Sequence, residues 1–101
     1  MSKVIVLGAG MVGSAMAIDM SKNHDVLLTD VNSDVLENVE AKCADLSTAT
    51  LDVTNISELH EAIKQHDLVI SAVPGFLGYG TLKNIIEAKM NVIDISFFPE
   101  N

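Results

Sequence analysis

The stretch Val4-Ile5-Val6-Leu7-Gly8-Ala9-Gly10-Met11-Val12-Gly13 decides the fold of this chain. Four consecutive apolar residues, three of them β-branched, make a short strand buried on both faces. The glycines that follow are spaced as GxGxxG, and Val12, Ala15, Met16 and Met20 continue at helical spacing through Met11 to Lys22. A strand that passes through a glycine turn directly into a helix opens a βαβ unit. Gly8 allows the tight turn, Gly10 removes a Cβ that would obstruct a pyrophosphate, and Gly13 lets the helix approach the sheet. The amides and positive dipole end at Met11 then suit a diphosphate, with Met11 and Val12 beside it. A glycine turn without a ligand has the same local pattern, so the rest of the chain must decide.

Further apolar runs lie at Val26 to Leu28, weakly around Ala49 to Leu51, at Leu68 to Ala72 and at Val92 to Ile95. Between them the periodicity predicts helices over Ser33 to Cys43, Asn55 to Gln65 and Thr81 to Lys89. Asn55 followed by Glu58 has capping-box spacing and marks the start of the third helix. Alternating strands and helices with right-handed crossovers predict an α/β, doubly wound parallel sheet of five strands in the order 3-2-1-4-5, a Rossmann fold. No linker or repeat divides the chain, so residues 1–101 form one domain. Only Pro74 to Gly80, with one Pro and three Gly in seven residues, is markedly loop-like, and it follows the fourth strand.

Two acidic residues end strands on the same rim. Asp30 closes Val26-Leu27-Leu28-Thr29-Asp30, 20 residues after Gly10, where a carboxylate accepts hydrogen bonds from both adenosine ribose hydroxyls, with Val31 following. That points to NAD, because a 2′-phosphate would meet a like charge and the sequence has no Arg to receive it. Asp52, with the Val53 amide, fits the donor and acceptor edge of adenine. Both carboxylates also suit a plainer role, Asp30 capping the helix that starts near Ser33 and Asp52 starting the third helix.

Composition narrows the function further. Six cations, all Lys, stand against 14 acids for a net charge of −8, which argues against nucleic-acid or anionic-membrane surfaces. The single Cys43 forms no internal disulfide and no zinc framework, and is expected to be a buried small hydrophobe at a helix end. His24, His60 and His66 lie on polar helical faces as surface residues, so no metal site is expected. The N-terminal apolar run is too short for a signal segment or membrane span, and the chain reads as cytoplasmic.

Taken in order, GAGMVG, LDVTN, SAVPGF and DISFFPEN resemble the dinucleotide-binding half of the saccharopine dehydrogenase family, which includes lysine 6-dehydrogenase-like enzymes. The resemblance covers essentially the whole chain. It implies an NAD- or NADP-dependent oxidoreductase acting on amino-acid C–N bonds, with Ala72, Val73 and Pro74 against the nicotinamide ribose and the Gly75 to Gly80 loop beside the nicotinamide. Phe97 and Phe98 are read as core or subunit contacts. The family's substrate domain would lie beyond the fifth strand, so no catalytic residue is assigned and the domain alone is expected to bind rather than catalyse. Either that domain or a second copy in a homodimer is the expected partner. NAD(H)-sensing regulatory domains of potassium transport systems share the first fifty residues of this pattern and form the alternative, although they tend to lack a segment like Pro74 to Gly80.

Overall fold

In a computed structural model, which describes residues 2–72 and 91–94, the elements follow the expected alternation. They are β1 Lys3–Leu7, α1 Met11–Met20, β2 Asp25–Asp30, α2 Ser33–Lys42, β3 Ser47–Thr50, α3 Ile56–Ile63, β4 Leu68–Ser71 and β5 Val92–Asp94. All strand pairs are parallel and the order is β3-β2-β1-β4-β5, which makes this the expected Rossmann sheet. The helix expected over Thr81 to Lys89, the Pro74 to Gly80 loop, Val73 and Phe97-Phe98 lie outside the described residues.

The pleat of the central strands sorts their side chains into two cores. Val4, Val6, Val26, Leu28 and Ile70 pack against Ala17 of α1 and Leu36 and Val39 of α2 on one face. Ile5, Leu7 and Val69 pack against Leu59 and Ile63 of α3 on the other. Among the described residues, two helices on one face and one on the other are what right-handed crossovers produce when the chain steps outward to β3 and then returns past β1 to β4. Burying a side chain as fully as Leu59 or Ile63, both 0% exposed, stabilises the fold by about 1.5–3 kcal/mol each.

The third strand departs from expectation. It occupies Ser47–Thr50 rather than Ala49 to Leu51, and three of its four residues are exposed, because it is an edge paired only with β2. Buried Leu46 and Leu51 flank it, and each belongs to a different core. The helices end a little earlier than the periodicity predicts, α1 at Met20 and α3 at Ile63. Turns in which Asn23 and His24 donate to Met20 O, and His66 to Ile63 O, use the residues that follow. The three histidines are half-buried rather than surface residues; His24 and His66 close those turns through their backbone N–H groups, and His66 Nδ1 lies 2.8 Å from the Ala62 carbonyl oxygen. Cys43 is half-buried at the end of α2, with its Sγ 3.5 Å from Ser21 Oγ.

At Gly13 the first helix meets the first strand. A Cβ there would lie 2.1 Å from the carbonyl oxygen of Gly8 and 3.1 Å from the Ala72 methyl. Replacing a helical glycine by alanine ordinarily favours the helix by up to about 1 kcal/mol. Here the sign reverses, because backbone rather than a flexible side chain occupies the space. Gly13→Ala is expected to lower the unfolding free energy in urea by about 1–3 kcal/mol or more, and an unchanged or raised midpoint would show that α1 does not seat on the turn.

Candidate dinucleotide site

The turn between β1 and α1 is held from three sides. Gly8 adopts φ 101°, in the left-handed region, and its N–H donates to Thr29 O at 2.9 Å. Thr29 Oγ1 donates to Val6 O at 3.0 Å, which ties the ends of β1 and β2 together. Buried Ala9 donates its N–H to Asp30 Oδ2 at 2.8 Å, and its carbonyl accepts from Ser14 Oγ at 2.9 Å. Gly10 is exposed and has ordinary extended angles, φ −69° and ψ −171°, so its own conformation does not demand glycine. What a side chain would block there is the space outside the turn.

The helix that begins at this turn is capped differently from its neighbours. Asn32 caps α2 by accepting from Asp34 N at 2.9 Å, and Asn55 caps α3 by accepting from Glu58 N at 3.2 Å. Each of those helices also carries an acid in its first turn, Asp34 and Glu58, which complements the positive helix end. At α1 Gly10 supplies no side-chain cap, and the first turn contains no acid. Met11, its first residue, is 64% exposed. The positive end of α1 therefore projects from the rim of the sheet without a compensating group from its own first turn, and an anion bound from outside would supply one. A cleft of about 420 Å³ adjoins Gly10 and Met11, but it runs down between α1 and α2 away from the strand ends.

Asp30 stands at the end of β2, half-buried, and spans two loops. Its Oδ2 holds Ala9 of the glycine turn, and its Oδ1 accepts from Asn32 N at 2.9 Å. A carboxylate has about four lone-pair sites, so two remain for outside donors. The helix cap is Asn32, not Asp30, which leaves the second role considered for Asp30 to its neighbour. Val31 follows on the same rim and is 68% exposed.

Asp52 lies beyond the end of β3 and is exposed. Its Oδ1 accepts from Thr54 Oγ1 at 2.6 Å and from Thr54 N at 2.9 Å, and these two bonds, the hydroxyl first, hold its pKa below the usual 3.8. Glu58 reaches back to accept from Asp52 N at 3.3 Å, so the expected capping box closes on Asp52 rather than on Asn55. Val53 is half-buried against the second core. At the end of β4 the Ala72 amide donates to Leu7 O at 2.8 Å, and its 9%-exposed side chain packs beneath the turn. Val73 and Pro74 lie outside the described residues.

Gly8, Gly10, Met11, Val12, Gly13, Asp30 and Val31 are thus brought to one end of the sheet, with Asp52 and Val53 at its β3 side. Ser14 and Asn32 escaped the sequence reading. The available signal for Ser14 was a hydroxyl early in a helix, a position from which serine often bonds back to the preceding backbone. No group of three His, Cys, Asp or Glu suited to a metal occurs among the described residues. Among the same residues no helix is long and apolar enough to cross a membrane.

Residues 4–101 match the family model of the saccharopine dehydrogenase NADP binding domain. The saccharopine dehydrogenase [NADP(+), L-glutamate-forming] of Saccharomyces cerevisiae is 30% identical over 96 residues, which cover 93% of this chain and 21% of that protein. A glycerol-3-phosphate dehydrogenase [NAD(P)+] of Staphylococcus carnosus is 36% identical over an alignment of 110 residues, covering 100% of this chain and 33% of the relative. The solved apo saccharopine dehydrogenase (L-Glu forming) of S. cerevisiae superposes with a TM-score of 0.81 at 24% identity, over 98% of this chain and 22% of that one, and so shows the same fold. The chain spans a third or less of the length of these relatives.

The Thr54 bonds make Asp52 a measurable probe of this rim. A carboxylate with a lowered folded-state pKa stabilises the fold above its unfolded pKa, and that contribution is lost as pH falls through the folded value. Carboxyl NMR titration is expected to show Asp52 protonating below pH 3.8, with Thr54→Val moving it upward. A midpoint unaffected by Thr54→Val would show that this turn is not formed.

Proposed function

The chain belongs to the saccharopine dehydrogenase NADP-binding domain family, and on that basis we propose that it is the nucleotide-binding domain of an oxidoreductase acting on amino-acid C–N bonds, with NAD as its preferred nucleotide. The observation that carries the binding reading is the N-terminus of α1, which has neither a side-chain cap nor an acid in its first turn and adjoins an exposed Gly10. In this reading the amides of Gly10 and Met11 and the start of α1 at Val12 receive the diphosphate, while Gly8 and Gly13 shape the turn. Asp30 takes the adenosine ribose hydroxyls on its remaining lone pairs, beside Val31. The free side of the Asp52 carboxylate and the Val53 amide take the adenine edge. The nicotinamide ribose is assigned to Ala72, Val73 and Pro74 on the family resemblance alone, the last two being outside the described residues. When bound, the nicotinamide supplies hydride transfer. Recognition of the amine and carboxylate of a substrate is assigned to sequence outside these residues, in keeping with relatives three to five times as long.

The preference for NAD runs against the family's description and rests on Asp30. Its carboxylate is fixed by Ala9 N and Asn32 N at 2.8 and 2.9 Å, so it cannot swing aside for a 2′-phosphate without giving up both bonds. No Arg occurs in the chain, and no Lys lies between Asp25 and Ala41. Calorimetry is expected to give NAD(H) an affinity at least about tenfold higher than NADP(H), a difference of about 1.4 kcal/mol. Asp30→Ala should narrow that ratio while weakening both ligands, because the turn loses its acceptor for Ala9. Equal affinities in the unaltered chain would remove Asp30 from the ribose.

Gly10→Val tests the diphosphate itself. Valine tolerates the observed φ and ψ, and the position is exposed, so the variant is expected to fold and melt cooperatively. Its branched side chain would fill the space over the turn, and NADH should no longer raise its melting temperature. A variant still stabilised by NADH would place the diphosphate elsewhere.

A further inference from the structure

The Ala9 residue of the turn is gripped at both of its peptide groups, and only one grip comes from the acidic residue expected at this site. Asp30 Oδ2 accepts from Ala9 N at 2.8 Å. On the other side Ser14 Oγ, one turn into α1, donates to Ala9 O at 2.9 Å, while Ser14 N donates to Gly10 O at 2.9 Å. A trans peptide is planar, with its C=O and N–H pointing in opposite directions. Fixing the Ala9 carbonyl toward Ser14 therefore fixes the Gly10 N–H away from α1's body, and this N–H meets no acceptor among the described residues. The Ser14 hydroxyl sets the orientation of one of the donors that faces an incoming phosphate.

We propose that Ser14 is a positioning residue of the nucleotide site, acting through the Ala9–Gly10 peptide to aim the Gly10 N–H at the diphosphate. The inference rests on the nucleotide reading of the turn. It predicts a particular selectivity: loss of the hydroxyl weakens ligands that carry a diphosphate and spares those that do not. A structural role alone would weaken all ligands together, or lower stability without discrimination. Stability is expected to change little, since the hydrogen bond lost in Ser14→Ala is offset by the better helix propensity of alanine.

The experiment compares ADP, NADH and adenosine on the full chain, by calorimetry for the first two and NMR titration for adenosine. For Ser14→Ala the affinities of ADP and NADH are expected to fall by about three- to tenfold, the range of one hydrogen bond, with the adenosine affinity unchanged. The Gly10 amide resonance should shift in the ligand-free variant. Ser14→Thr keeps the hydroxyl and should restore diphosphate binding. Ser14→Cys keeps the volume with a much weaker donor and should behave like Ser14→Ala, which covers the case where alanine impairs folding. If the unaltered chain binds ADP and NADH but Ser14→Ala binds them equally well, or loses adenosine to the same extent, the positioning role is overturned and the nucleotide reading stands. If the unaltered chain binds neither ADP nor NADH, both fall.

Discussion

The contact between Gly13 and the Gly8 carbonyl is the constraint on which the site depends. With no Cβ at Gly13, α1 comes so close to the end of β1 that an added carbon would sit 2.1 Å from backbone oxygen. That approach puts the helix N-terminus at the rim of the sheet rather than above its face. It also brings Ala9 within reach of Asp30 on one side and of Ser14 on the other. A longer first turn, or a side chain at Gly13, would separate all three at once. The left-handed Gly8 makes the turn tight enough, and the Gly8–Thr29 and Thr29–Val6 bonds hold it against the neighbouring strand.

The charge of the chain gives this arrangement its meaning. A protein with a net charge of −8 and no arginine has few cations with which to receive an anion. Backbone amides at the start of α1 provide a positive site without any cationic side chain, and their partial charges add where the dipoles converge. The other two described helices show how the chain treats such ends when no ligand is intended: an Asn cap and an acid in the first turn neutralise each of them. The contrast is local and physical, and it does not rest on the glycine spacing.

The architecture was legible because its central strands are buried on both faces, and burial writes itself into sequence as unbroken apolar runs. Strand order followed from crossover handedness. The third strand was misplaced for the same reason: Ser47–Thr50 is a polar edge, and the apolar residues beside it, Leu46 and Leu51, mark its ends rather than its length. In the site, Gly8, Gly13 and Asp30 were readable because each answers a steric or spacing demand. Ser14 and Asn32 were not, since a serine in a helix or an asparagine in a loop has many uses and only the folded turn shows which is taken. Asp52 combined both readings, its position legible but its Thr54 partner visible only in three dimensions.

Under the proposed assignment, Asp30 would link the identity of the nucleotide to the shape of the turn that holds it. In an isolated ribose contact, exchanging the carboxylate for a cationic or neutral group would change only which ribose is accepted. Here the same carboxylate supplies the acceptor for Ala9 N and the acceptor for Asn32 N, and Asn32 in turn caps α2. A substitution that welcomes a 2′-phosphate therefore removes one of the two grips on the Ala9 peptides and loosens the loop that orients α2. In the proposed reading nucleotide choice and turn geometry would be coupled through one side chain, with Ser14 left as the remaining grip on the turn. On the proposed assignment of Asp30 to the ribose, admitting a 2′-phosphate would call for a replacement at position 30 that keeps an acceptor toward Ala9 while losing the negative charge, together with a cation placed in the loop that follows.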